Sequence, residues 1–90
     1  MTEPRDVKIK RLAMRSMRRG IKEMDLILTA FADNALGGMD DAELDLYDAL
    51  LSENDHDLYQ WVTAQTPTPD TYLALITRIS SGARGLTRPN

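Results

Sequence analysis

Between Ile21 and Ala35 the apolar residues Met24, Ile27, Leu28, Phe31 and Ala35 recur at the i, i+3, i+4, i+7 spacing of one helix face. No stretch of the chain alternates apolar and polar residues long enough to predict a strand. This stripe constrains the fold more than any other feature. A single helix of that length is marginal in water, so its apolar face has to be covered by other helices.

The remaining chain supplies the covers in short pieces. A first helix is expected from Arg5 to Arg15, with Pro4 near its first turn, where a missing N–H costs little. Ile9, Leu12 and Ala13 form its apolar side, and Lys8, Arg11 and Arg15 a basic one. Gly20 separates it from the second helix, which Gly37-Gly38 ends. Asp40-Asp41-Ala42-Glu43 opens a third helix: an oxygen-bearing cap with Glu three residues later has the form of a capping box. Leu44, Tyr47, Leu50 and Leu51 make its buried face. Asn54 or Asp55 caps a short fourth helix with Leu58, Trp61 and Val62. Thr66-Pro67-Thr68-Pro69 interrupts the chain, because residues before proline avoid helical angles. Thr68 as cap and Pro69 at the first helical position start a fifth helix carrying Tyr72, Leu75, Ile76 and Ile79. From Ser80, with two glycines and a proline ahead, a loose tail is expected. The fold class is therefore all-α, a compact bundle of five short helices. It forms one domain over residues 1–80 with a flexible tail over 81–90.

Charge is unevenly placed. Residues 1–22 carry Arg5, Lys8, Lys10, Arg11, Arg15, Arg18, Arg19 and Lys22 against Glu3 and Asp6, a net +6, and the remaining 68 residues carry a net −9. From Glu23 to Thr77 there is no Lys or Arg. Either this basic segment orients a charged partner, or it packs beside the acidic remainder and neutralises it; the two are compatible. No apolar run approaches the roughly 20 residues of a membrane-spanning helix. Met1 to Lys10 lacks the apolar stretch of a secretory signal, and cysteine is absent. Together these features suggest a bacterial cytoplasmic protein with no direct membrane insertion.

Chemistry finds little to work with. The single histidine, His56, sits in the acidic turn Glu53-Asn54-Asp55-His56-Asp57, where a solvated helix start explains it better than a metal site. There is no phosphate-binding loop or dinucleotide fingerprint, and Ser16 has no base near it in sequence. An enzyme is not expected, nor a metal or cofactor of the chain's own. Nucleic-acid binding through the basic N-terminal segment is the alternative function. Against it stand a calculated pI of about 5.0, the lack of aromatic residues over 1–30 for base stacking, and Glu23 and Asp25 on the helix that would have to read the groove. Met14, Met17 and Met24 are either core filler or an adaptable contact surface.

The most specific segment is Arg15-Ser16-Met17-Arg18-Arg19-Gly20-Ile21-Lys22-Glu23-Met24-Asp25. It joins several arginines, a glycine between two helices, and a glutamate on the first turn of the second. Gly20, lacking Cβ, allows another backbone to come close; Arg19 offers a planar fork of donors, and Glu23 a nearby acceptor. A bland alternative is a capped helix start with an internal Arg19–Glu23 pair. The segment resembles the R-G-x-x-E motif of the SdhE family, the succinate dehydrogenase or FAD assembly factors, with Arg19, Gly20 and Glu23 at its fixed positions. Phe31-Ala32-Asp33, Asp40-Asp41-Ala42-Glu43-Leu44, Leu50-Leu51 and Asp55-His56-Asp57-Leu58-Tyr59-Gln60-Trp61 are similar to the family in order and spacing. Ala13-Met14 departs from it where an aromatic residue is expected.

The resemblance implies a small five-helix bundle that binds the flavoprotein subunit of succinate dehydrogenase, or in some bacteria fumarate reductase. Such a factor promotes covalent attachment of the client's FAD to a histidine of that client. It implies that Arg19, Gly20 and Glu23 contact the client, with Arg15, Ser16, Arg18 and Asp25 on the same surface. A monomer is expected, with weak self-association when free left open.

Overall fold

The computed structural model describes residues 3–87, with side chains through residue 82. Among these residues five α-helices follow one another: α1 (Arg5–Arg15), α2 (Lys22–Ala35), α3 (Asp41–Leu51), α4 (Asp55–Val62) and α5 (Asp70–Thr87). A short 3-10 turn, Leu36–Gly38, links α2 to α3, and no strand is present among the described residues. The all-α bundle expected from the apolar spacing is the fold observed.

Helix α2 is the central element and packs against α1, α4 and α5. Its stripe is buried at Met24, Ile27, Leu28 and Ala32, with Phe31 half-buried beside them. Leu12 from α1, Leu44, Tyr47, Leu50 and Leu51 from α3, Leu58 and Val62 from α4, and Leu75, Ile76 and Ile79 from α5 complete one core. The Phe31 and Tyr47 rings lie 5.6 Å apart at 43°, a tilted contact joining α2 to α3. Trp61 and Tyr72 stack at 5.9 Å between α4 and α5.

The helix starts follow local chemistry. Asp40 accepts the Glu43 N–H at 2.8 Å and Glu43 accepts the Asp40 N–H at 3.1 Å, so the capping box before α3 is complete. Asn54, rather than Asp55, caps α4, accepting the His56 N–H at 2.8 Å. Gly37-Gly38 does end α2, though not through a left-handed cap: no described glycine has positive φ, and the two continue into the 3-10 turn that buries Leu36 and brings Met39 into the core.

Helix α5 departs from expectation at both ends. It begins at Asp70, so Pro69 precedes the helix and its carbonyl accepts the Tyr72 N–H at 2.9 Å. It then continues to Thr87, through the segment expected from Ser80 onward to be loose. The Leu75–Ile76–Ile79 stripe anchors it on α2, and each of its two glycines, Gly82 and Gly85, costs a helix only about 1 kcal/mol. Residues 88–90 of that expected tail lie outside the described residues.

The charge asymmetry is resolved between α1 and α3. Arg5 lies 3.9 Å from Asp41, Lys8 pairs with Asp45, and Arg11 and Arg15 both reach Asp48, Arg11 at 3.0 Å. Cations on one face of α1 thus meet acids one turn apart on α3. Each exposed pair contributes little alone, but a shared carboxylate makes them a network. Arg11 also holds Glu3 at 2.9 Å, and this guanidinium keeps both the Glu3 and the Asp48 carboxyl below the usual carboxylate range. The hydrogen bond to Asp45 raises the Lys8 ammonium above its ordinary value. Four of the eight N-terminal cations are therefore engaged with α3, and Arg19, paired with Asp55, makes a fifth within the bundle, which weakens the nucleic-acid alternative.

Candidate functional site

The turn from Ser16 to Ile21 joins α1 to α2 and carries most of the residues singled out in the sequence. It opens on Ser16, whose N–H bonds to the Leu12 carbonyl at 3.0 Å. The Ser16 hydroxyl donates to the same carbonyl at 2.8 Å and lies 2.6 Å from the Tyr47 hydroxyl. Both residues are fully buried. Because the single Ser16 proton goes to Leu12, Tyr47 is the donor of the pair. Burial pushes the Tyr47 hydroxyl up to about 12, with the Ser16 hydrogen bond pulling the other way, so it stays protonated near neutrality.

Arg18 turns the chain. Its φ of 55° lies in the left-handed region, uncommon for a residue with a Cβ. Asp25 holds it there: Oδ2 accepts the Arg18 N–H at 3.0 Å, and Oδ1 accepts from the Thr29 hydroxyl at 3.2 Å. Thr29 also approaches the Ser16 carbonyl at 3.3 Å, so the first turns of α2 brace the turn from beneath.

Arg19 points inward. Its Nε donates to Asp55 Oδ1 at 2.8 Å, Nη1 to the Arg15 carbonyl at 2.9 Å and Nη2 to the Leu51 carbonyl at 3.0 Å. The Gly20 N–H donates to the other Asp55 oxygen at 2.6 Å. Asp55 stands on the first turn of α4, where a negative charge suits the helix dipole. Arg15 reaches across to the Asp48 carbonyl and carboxylate and to the Ser52 hydroxyl.

The predicted site residues thus divide. Of the residues expected on the contact surface, Ser16 is sealed in the core, and Arg19 is half-buried with its Nε, Nη1 and Nη2 each bonded to a different element of the fold. The close approach at Gly20 is made by a carboxylate and not by a backbone, and Arg19 pairs with Asp55 and not with Glu23. Arg15 and Asp25 are half-buried supports. Arg18, Gly20 and Glu23 are exposed, and Glu23 has no hydrogen-bond or ion-pair partner among the described residues. Lys22 is exposed beside them. Met14 and Met17 are 73% and 48% exposed while Met24 is buried, so the methionine cluster is part surface and part core. Asp55, Asp48, Tyr47 and Thr29 were not picked out as site residues. Only Asp55 carried a signal, its place in the Asp55-His56-Asp57 run, and nothing local marks which turn a carboxylate 35 residues away will clamp.

His56 is exposed, and among the described residues no group of three or more His, Asp or Glu is placed to hold a metal. No described helix is long and apolar enough to cross a membrane.

Residues 10–83 match the model of the family described as flavinator of succinate dehydrogenase. The chain is 46% identical over 71 residues to the mitochondrial succinate dehydrogenase assembly factor 2 of Meyerozyma guilliermondii, covering 76% of this chain and 53% of that protein. It is 50% identical over 68 residues to that of Debaryomyces hansenii, covering 72% and 48%. It is 46% identical over 71 residues to that of Saccharomyces cerevisiae, covering 76% and 44%. The chain therefore spans about half the length of these curated relatives. They overturn the expected bacterial cytoplasmic location: all three are mitochondrial proteins of yeasts by name, and the lack of cysteine and of an apolar leader does not separate one compartment from the other. The matched region takes in α2, α3 and α4 whole, most of α1 and α5 and the whole Arg19-Gly20-x-x-Glu23 turn, and the chain belongs to the flavinator of succinate dehydrogenase family.

Proposed function

We propose that this protein binds the flavoprotein subunit of succinate dehydrogenase and promotes covalent attachment of FAD to it, contributing no catalytic group and no cofactor of its own. The observation that carries this reading is the exposed Glu23, left without an internal partner on a turn that is otherwise braced from several sides. An unpaired carboxylate on a rigid edge suits recognition, because little ordering entropy is lost when a partner meets it. Arg18 and Lys22 flank it with exposed cations, and Met17 adds a pliable apolar contact. Catalysis then comes from the client and its flavin; the assembly factor holds the client's reacting groups in register, a proximity effect. Fumarate reductase, whose flavoprotein subunit poses the same chemical problem, is a second client under this reading.

The test is in-gel flavin fluorescence of the denatured flavoprotein subunit, expressed with and without this protein in a host lacking its own factor. A fluorescent band that requires the protein and disappears with Glu23→Ala supports the proposal. Equal fluorescence with and without the protein refutes it.

A further inference from the structure

Asp55 comes from a different helix and closes the motif turn from outside. Both of its oxygens are used, Oδ2 by the Gly20 N–H at 2.6 Å and Oδ1 by Arg19 Nε at 2.8 Å. The Asp55 and Arg19 side chains are only 17% and 11% exposed. A Cβ placed on Gly20 would lie 3.1 Å from Asp55 Oδ2, closer than ordinary contact, and φ at Gly20 is not positive. Glycine at this position therefore supplies room for the carboxylate and not torsional freedom. The remaining Arg19 donors tie the same turn to the Arg15 and Leu51 carbonyls, at the ends of α1 and α3.

We propose that Asp55 is the positioning residue of the docking edge. By gripping Gly20 and Arg19 it fixes the arrangement in which Arg18, Lys22 and Glu23 meet the flavoprotein subunit. The Arg and Gly of the motif serve this clamp, and the client touches the residues around them. The inference rests on the functional reading above and deepens it. It also assigns a cause to any defect from a side chain at position 20: displacement of the Asp55 carboxylate.

The experiment measures the Kd of the full chain for the purified flavoprotein subunit, at a temperature where circular dichroism shows each variant as helical as wild type. Asp55→Ala is expected to weaken the complex about tenfold or more, the scale of a lost charge-assisted hydrogen-bond pair. Gly20→Ala alone is expected to weaken it too. Added to Asp55→Ala, it costs nothing further, because the atom that its methyl would meet is gone. If Asp55→Ala fails to fold, Asp55→Asn, which keeps the shape and one acceptor, is measured in its place with the same expected direction. Wild-type affinity in the folded Asp55 variant overturns the proposal. So does an equal loss from Gly20→Ala in both backgrounds, which would place Gly20 itself against the client. Absence of any complex with the wild-type chain refutes the functional reading, and this inference with it.

Discussion

Replacing Ser16 with alanine separates a residue that touches a partner from one that shapes the surface from within. The Ser16 proton is given to the Leu12 carbonyl at 2.8 Å, so the Tyr47 hydroxyl, 2.6 Å away, donates to Ser16. Ser16→Ala leaves that hydroxyl without an acceptor in a fully buried position, at a cost of about 1–3 kcal/mol. Tyr47→Phe removes the hydroxyl, leaves Ser16 bonded to Leu12, and costs about 0.5–1.5 kcal/mol. In the Tyr47→Phe background, Ser16→Ala loses only a bond within its own helix end and is expected to cost a few tenths of a kcal/mol, roughly the scale of surface changes. The two substitutions are therefore coupled by about 1–2 kcal/mol. In a chain of 90 residues the single Ser16→Ala change lowers Tm by roughly 5–15 °C. Urea unfolding followed by Trp61, the sole tryptophan, measures all four corners of the cycle. Equal costs of Ser16→Ala in both backgrounds would refute the hydrogen-bond assignment. In the flavin-fluorescence assay, any defect of Ser16→Ala should be relieved by adding Tyr47→Phe. A defect that persists in the stable double variant would mean that Ser16 itself meets the client.

Asp40→Ala breaks the capping box of α3 and is expected to cost about 1 kcal/mol without altering client binding, as urea midpoints and Kd would show. The Asp48 carboxyl, depressed chiefly by its Arg11 hydrogen bond, stabilises the fold fully above the ordinary value of 3.8 and loses that contribution as pH falls through its lower folded value. Asp48→Asn should therefore flatten the acid limb of a stability–pH curve below about pH 4. At the other end, Tyr47 keeps its proton in the fold up to about 12, while the unfolded chain releases it near 10.0. Stability present below that lower value should fall by about 2–3 kcal/mol as pH rises through the interval, and Tyr47→Phe should remove this slope.

The helices were legible because each rests on local signals. The α2 stripe, the Asp40 box and the Asn54 cap are contained within a few residues of chain. The later end of α5 was not legible, because glycine and serine content speaks for a loose tail, while docking on α2 favours a continued helix. The motif was visible as a string, but the division of labour inside it was not. Arginine, serine and glutamate all read as surface residues; whether Arg19 faces the solvent or the bundle depends on Asp55 and the Leu51 carbonyl, 36 and 32 residues further along. The charge asymmetry had two compatible explanations, and the internal one is visible as the α1–α3 ion pairs.

The braces of the motif turn have a consequence for portability. A synthetic peptide covering residues 10–35 would contain every letter from Arg15 to Asp25, together with Thr29. It would lack Asp48, Ser52, the Leu51 carbonyl and Asp55, which set the orientation of Arg15, Arg19 and Gly20. The proposed recognition element is thus a conformational epitope and not a linear one. It cannot be grafted onto a tail or mimicked by a short competitor, and it comes into being only after α4 has been made and docked.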